Sequence, residues 1–309
     1  MKTIHRAARA LDATPDEIST SSYPETNPEA VQSSFRIVAV SATLPNISEV
    51  ADFLQADEAF AFDDSYRPVP LTKHVNCLGR VGNNEWKFWS NLFASTPEII
   101  QRFSHGKQSL IFCHSKKETQ KITELLIEKN LGNKGARKLK VSPWSVSEPV
   151  VTSVQYMISH GIGYHNAGMS MNDRKCIEDA FIDGRIKCLA ATSTLAVGVN
   201  LPAHLVIVVG TKAYRSNEKG KGYQDIEASS LMQMIGRAGR PGLDSTGVAV
   251  VLTDNNSKKR IENILESGFG PAKSSLCARL PEVMNTEISQ QVVTSTVGAL
   301  RWLQTTFLF

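Results

Sequence analysis

Arg237 and Arg240 stand three residues apart in QMIGRAGRPG (233–242), with only Gly236, Ala238, Gly239 and Pro241 around them. Positions three apart on a helix share a face. Two guanidinium groups aimed one way between residues this small make poor core and good phosphate clamps, because a planar fork matches phosphate oxygens. A solvated basic face is the alternative, and the phosphate reading is preferred. The segment is not a dinucleotide fingerprint: GRAG sits late in a helix, and no acidic residue is placed to hold a ribose.

Three further clusters carry polar groups that can meet a ligand. ATSTLAVGVNLP (191–202) offers Thr192, Ser193 and Thr194 as donors to a nucleic-acid backbone, Gly198 for close approach, and Asn200 for a ribose; a helix N-cap is an equal alternative. SATLPN (41–46) offers the hydroxyls of Ser41 and Thr43, or an ST-turn before Pro45. In YHNAG (164–168), His165 either touches a phosphodiester or satisfies a turn. The basic runs GARKLK (135–140) and KAYRSNEKGKGY (212–223) read as solvated loops, the second with interleaved tyrosines.

These clusters need elements to hold them. FRIVAVSAT (35–43), SLIFCHS (109–115), IKCLAATST (186–194), HLVIVVGT (204–211) and TGVAVVLTD (246–254) read as strands buried on both faces. A helix from Ser48 is expected after the first. A helix over KKETQKITELLIEKN follows the second, N-capped by Ser115 with Glu118 as its capping-box partner. DRKCIEDAFIDG (173–184) predicts a helix stopped by Gly184, and SSLMQMIGRAG (229–239) another closed by Pro241. Alternating strands and helices specify an α/β fold with a mainly parallel sheet. Right-handed crossovers then bring each polar cluster to the carboxyl edge of the sheet, where ligands bind.

Composition narrows the function classes. With 309 residues, 41% hydrophobic and 21% charged, the chain is globular and about two domains long. No apolar run reaches the ~20 residues a membrane span needs, and no secretory signal stands at the start. Five scattered cysteines, with no CxxC pair, fit a reducing compartment and give no metal site. A net charge of +4 permits nucleic-acid binding without arguing for it.

Taken in order and spacing, these segments resemble the motor core of the superfamily 2 DExH helicases. SATLPN is similar to motif III, SLIFCHSKKET to motif IV, YHNAGMSMNDR to motif IVa, ATSTLAVGVNLPAHLVIV to motif V and QMIGRAGRPG to motif VI. Within the large processive branch, YRPVPL, TSTLAVGVNLPAHLVIV and the tail KSSLCARLPEVMNTEI resemble the meiotic crossover DNA helicases.

The resemblance implies a RecA-like parallel sheet flanked by helices over residues 63–257. It implies the end of a first RecA-like domain with motif III over 1–62, and the opening of an α-helical winged-helix domain over 258–309. It implies an ATP-dependent 3′–5′ DNA helicase, a monomeric motor of meiotic crossover formation in the nucleus, working on single-stranded or branched DNA. An RNA helicase of the same branch and a non-catalytic nucleic-acid-binding module are the alternatives.

Arg237 and Arg240 would be arginine fingers on the ATP γ-phosphate, with Gln233 closing the cleft and Gly198 and Asn200 lining the nucleotide. Cys113, His114, Ser115, His165, Thr192, Ser193 and Thr194 would hold the single strand. Ser41 and Thr43 would couple hydrolysis to domain movement. The segment 212–224 would be a strand-splitting hairpin using Lys212, Tyr214, Arg215 and Tyr223. ATP with Mg²⁺ would be bound mainly by a first domain, because this sequence holds no GxxxxGK[ST] phosphate loop and no DExH box. The chain is therefore expected to be a portion of a longer motor, inactive alone as an ATPase, with apolar residues of 35–40 left uncovered.

Overall fold

A computed structural model of the chain describes residues 38–41, 44–79, 85–132, 150–217, 220–268 and 270–308. It divides into two compact units, one of residues 63–269 and one combining 1–62 with 270–309. In chain order the elements begin with α1 (Ile47–Leu54), β1 (Leu71–Leu78), α2 (Glu85–Phe103), β2 (Ser109–Cys113) and α3 (Lys116–Glu128). Next come α4 (Val150–His160), β3 (Ile162–His165), α5 (Met171–Ile182), β4 (Cys188–Thr192) and the short α6 (Thr194–Gly198). Then follow β5 (Leu205–Val209), β6 (Lys212–Asn217), β7 (Gly220–Asp225), α7 (Ala228–Ile235) and β8 (Gly247–Asp254). The last are α8 (Lys258–Ser267), α9 (Leu276–Ser289) and α10 (Thr296–Gln304).

Unit 63–269 is built on one sheet of strand order β1-β8-β5-β2-β4-β3, every pair parallel. All residues of β2, β5 and β8 are buried, as their unbroken apolar runs require of strands covered on both faces. Alternate side chains feed two helical layers. Ile111, Ile207 and Val250 pack with Leu92 and Ile99 of α2 and with Ile122 and Leu126 of α3. Leu110, Val208 and Val251 pack on the other face with Met157 of α4, Phe181 of α5, Leu231 of α7 and Ile261 of α8. Each such side chain contributes about 1.5–3 kcal/mol by leaving water.

Local signals set the element ends. The Ser115 hydroxyl accepts from the Glu118 amide at 3.2 Å, and the Glu118 carboxylate accepts from the Ser115 amide at 3.0 Å, the reciprocal cap expected at the start of α3. Gly184, at φ +75°, ends the turn after α5.

Two expectations are corrected. The described part of 35–43 is not a buried strand: Val38 and Val40 are 70% and 91% exposed, with no partner strand among the described residues. Helix α7 stops at Ile235 instead of running on to Gly239, because Ala238 turns out to bridge Ala203 and Gly239 adopts φ +89°. Thr43 and the basic run 135–140 lie outside the described residues.

In the other unit, the Asn46 side chain takes a hydrogen bond from the Ala272 amide at 2.8 Å and gives one to its carbonyl at 3.0 Å. Phe53 of α1 meets Phe307 edge-on at 5.2 Å. Ser41 lies on the exposed stretch before α1. Among the described residues no helix is long and apolar enough to cross a membrane.

Candidate functional site

The parallel register separates the polar clusters onto two opposite edges of the sheet. Cys113, Thr192 and His165 end β2, β4 and β3, so the turns that follow lie at the carboxyl edge. Arg67 precedes β1, Asn200 precedes β5, and Arg237 and Arg240 precede β8, which places them at the amino edge. This corrects the single carboxyl-edge site expected from the sequence. The arginine loop enters a strand rather than leaving one, and the segment 193–204 crosses between the edges.

At the amino edge the two arginines do not share a face, because both lie beyond the end of α7. Arg237 donates through Nη1 to Asn200 Oδ1 at 2.8 Å and through Nε and Nη2 to the Ala196 carbonyl. Among the described residues its charge is met only by neutral oxygens. Arg240 turns inward: Nε and Nη2 grip Asp244 Oδ2 and Oδ1 at 2.8 and 3.0 Å, and Nη1 donates to Gln108 Oε1 at 2.8 Å. Lys107 adds a third cation contact to Asp244 at 2.9 Å. Burial pushes the Asp244 carboxyl upward, but hydrogen bonds from Arg240 and Lys107 outweigh it and hold the group well below the usual carboxylate range. Buried His204 lies 3.4 Å from Asp244; burial lowers its pKa, against the raising effect of Asp244.

The arginine loop is pinned by its backbone. The Ala203 amide donates to the Arg237 carbonyl at 3.0 Å, and the Gly239 amide donates to the Ala203 carbonyl at 2.7 Å. A Cβ at Gly239 would meet Val69 Cγ1 at 2.7 Å, and one at Gly247 would meet the Gly239 amide at 2.5 Å, so both positions require glycine. An open cleft of about 290 Å³ lies against this loop, lined by Arg67, Asn200, Pro202 and Arg237 among others. Gln233 is exposed on α7, and Gly198 is exposed with open space where a Cβ would stand.

At the carboxyl edge, Ser193 and Thr194 are exposed, and the Thr192 and Thr194 hydroxyls are 2.9 Å apart. Ser193 stands at the N-cap position of α6, yet its side chain caps nothing. Ser115 is committed to capping α3. His114 Nε2 donates to the Gly210 carbonyl at 2.8 Å.

Strands β6 and β7 pair antiparallel, so the segment 212–224 forms a hairpin. Tyr214 and Tyr223 are exposed and meet edge-on at 5.6 Å, and Tyr223 stacks on Trp89 of α2 at 5.6 Å. Lys212 pairs with Asp254 at 3.2 Å. Burial raises the Asp254 pKa, but hydrogen bonds from Ser257 and Lys212 dominate and bring it down to about 2. The side chain of Arg215 lies outside the described residues.

Two strand-holding candidates are corrected. Cys113 is fully buried in the core, where burial and the charge of Glu118 push its thiol pKa up. His165 is 5% exposed, and its Nε2 donates to Glu178 Oε1 at 2.7 Å, so its ring faces α5 rather than solvent.

Sequence reasoning passed over Arg67, Trp89, Gln108 and Asp244. Asp244 had a signal, standing four residues after Arg240 in sequence. Arg67 lay within the quoted YRPVPL. Trp89 carried none. Among the described residues no cluster of three or more His, Cys, Asp or Glu is placed to hold a metal ion.

Comparison with known proteins places this geometry. Residues 144–242 match the helicase conserved C-terminal domain. The chain is 38% identical over 284 residues to the probable ATP-dependent DNA helicase HFM1 of Xenopus tropicalis, covering 89% of this chain and 20% of that protein. It is 36% identical over 279 residues to the ATP-dependent DNA helicase MER3 of Saccharomyces cerevisiae, covering 89% of this chain and 23% of that protein. It is 35% identical over 294 residues to the human U5 small nuclear ribonucleoprotein 200 kDa helicase, covering 92% of this chain and 14% of that protein. The chain thus spans about a fifth of the length of the MER3-type relatives it matches. The six-stranded parallel sheet, the helicase C-terminal domain matched over 144–242 and the similarity to HFM1 and MER3 together support a superfamily 2 helicase, MER3-like.

Proposed function

We propose that this chain supplies the second RecA-like half of an ATP-dependent 3′–5′ DNA helicase acting in meiotic recombination in the nucleus. The observation that carries the reading is Arg237: a guanidinium with no carboxylate partner among the described residues, fixed at the rim of an open cleft. Such a cation fits a triphosphate. Its charge would stabilise the transferring γ-phosphoryl, and one N–H each of Nη1 and Nη2, without a partner among the described residues, would bond it. Asn200 orients that guanidinium, Gly198 leaves room beside it, and Gln233 stands exposed to close over the nucleotide. Arg240, neutralised by Asp244, positions the loop. Bound ATP brings the phosphoryl group to be transferred, with Mg²⁺ and a phosphate cradle supplied by a first RecA-like half.

The carboxyl edge would hold the single strand. Exposed Ser193 and Thr194 offer hydroxyls to phosphates, and Tyr214 and Tyr223 offer rings to a base. The hairpin would split the duplex, with Lys212 and Arg215 near the phosphates and Trp89 supporting Tyr223. Ser41 and Thr43 would couple the motor halves, and α9 with α10 would open a winged-helix domain. DNA is favoured over RNA because two of the relatives are named as DNA helicases.

The test uses the purified 309-residue chain. It is expected to bind a fluorescent single-stranded oligonucleotide without hydrolysing ATP. Tyr214→Ala should weaken that binding about tenfold, the worth of one stacked base, while Arg237→Ala leaves it unchanged. Single-strand-stimulated hydrolysis by the chain alone, or loss of binding in Arg237→Ala only, would overturn the reading.

A further inference from the structure

The cleft at the amino edge holds a second arginine whose role the reading above does not use. Arg67 donates through Nε to the Val69 carbonyl at 2.9 Å. Its Nη2 donates to the carbonyls of Gly236 and Ala238 at 3.1 and 2.7 Å. Those carbonyls flank Arg237, so Arg67 clamps the loop on both sides of the proposed finger. A guanidinium carries five N–H donors. These three bonds leave both hydrogens of Nη1 without a partner among the described residues.

Charge is equally unbalanced. Four other cations packed into this unit have carboxylate partners: Lys73 with Asp64, Lys107 and Arg240 with Asp244, Lys212 with Asp254. Among the described residues Arg67 and Arg237 meet only neutral oxygens, and both line the same cleft of about 290 Å³. Two uncompensated cations sharing one cleft disfavour each other until an anion joins them. Pro68, Pro202 and Pro241 form part of the wall and fix backbone φ there, so little ordering is needed to receive a ligand.

We infer that Arg67 is a second phosphate-binding residue of this cleft, contacting a polyphosphate through Nη1 while its Nη2 holds the Arg237 loop. The inference rests on the reading of the cleft as nucleotide-facing and extends it to a residue outside the arginine motif.

Inorganic tripolyphosphate is the probe, titrated into the 309-residue chain by calorimetry, with the guanidinium ¹⁵N resonances followed in parallel. Loss of one charge-assisted contact should weaken binding about tenfold in Arg67→Gln. Arg67→Lys should recover part of it by restoring the charge. The Arg67 guanidinium resonances should shift on titration, which a purely loop-holding role would not produce. If Arg67→Gln binds as wild type, or those resonances stay still while Arg237→Gln loses binding, the inference falls and the nucleotide-facing reading stands. If the wild-type chain binds no tripolyphosphate, both fall.

Discussion

Arg240 forks onto both oxygens of Asp244, at 2.8 and 3.0 Å, and the Asp244 side chain is fully buried. Three residues earlier, Arg237 meets only an amide oxygen and a backbone carbonyl among the described residues. One motif therefore contains a neutralised arginine that builds the loop and an unneutralised one that faces the cleft. The difference predicts different variant behaviour. Asp244→Asn leaves Arg240 and Lys107 without their anion and should cost about 3 kcal/mol, the scale for breaking a buried pair. Thermal denaturation should show a midpoint lowered by roughly 6–12 °C. Arg237→Gln should leave the midpoint within about 2 °C of wild type, because it removes no ion pair. Equal losses in the two variants would contradict this division.

Stability should fall as pH falls, in two windows. His204 has its pKa lowered by burial, so below its ordinary 6.5 the unfolded chain takes up a proton that the folded chain refuses. Asp254 titrates at about 2 when folded and near its ordinary 3.8 when unfolded, so the unfolded state again binds more protons between those values. Both contributions are present at high pH and lost on acidification. Denaturation midpoints from pH 7.5 to 2.5 should decline first below 6.5 and again below about 4. His204→Asn should flatten the first decline, and Asp254→Asn should reduce the second, whose remainder belongs to Asp244, also held below the ordinary carboxylate range.

Gly210 and Trp89 predict a measurable coupling. Gly210 has φ +87°, and a Cβ there would lie 2.3 Å from the Trp89 ring. Gly210→Ala should cost about 2–3 kcal/mol, from the backbone strain and the displaced ring together. Trp89→Ala in the same chain should return the steric part and leave the strain, giving a non-additive cycle of about 1 kcal/mol. The Trp89→Ala variant alone should also weaken single-strand binding, because Tyr223 loses the ring it stacks on. Strict additivity in urea denaturation would count against the contact.

Much of the sheet was legible because β2, β5 and β8 are unbroken apolar runs whose burial on two faces leaves a strong local signal. The Ser115–Glu118 cap was legible for the same local reason. Strand β1, an edge strand reading LTKHVNCL and only partly buried, was not, since it borrows its order from pairing with β8. Helix α2, with Pro97 inside it, carried a helix breaker in its own sequence. The arginine motif announced itself by residue type, but its geometry depended on contacts distant in sequence: Arg67 with Gly236, and Gln108 with Arg240. The placement at the amino edge followed from chain order alone, since the motif leads into a strand. The exposure of Val38 and Val40 agrees with the expectation that apolar residues of 35–40 are left uncovered.

The central claim is that Arg237 presents its charge to a triphosphate held by another RecA-like half. The most direct measurement joins this chain to a first RecA-like half that carries a phosphate loop and follows single-strand-stimulated ATP hydrolysis. Restored hydrolysis that falls about 10³-fold or more in Arg237→Lys, with single-strand binding intact, is the predicted result. A restored rate indifferent to that substitution would contradict the account.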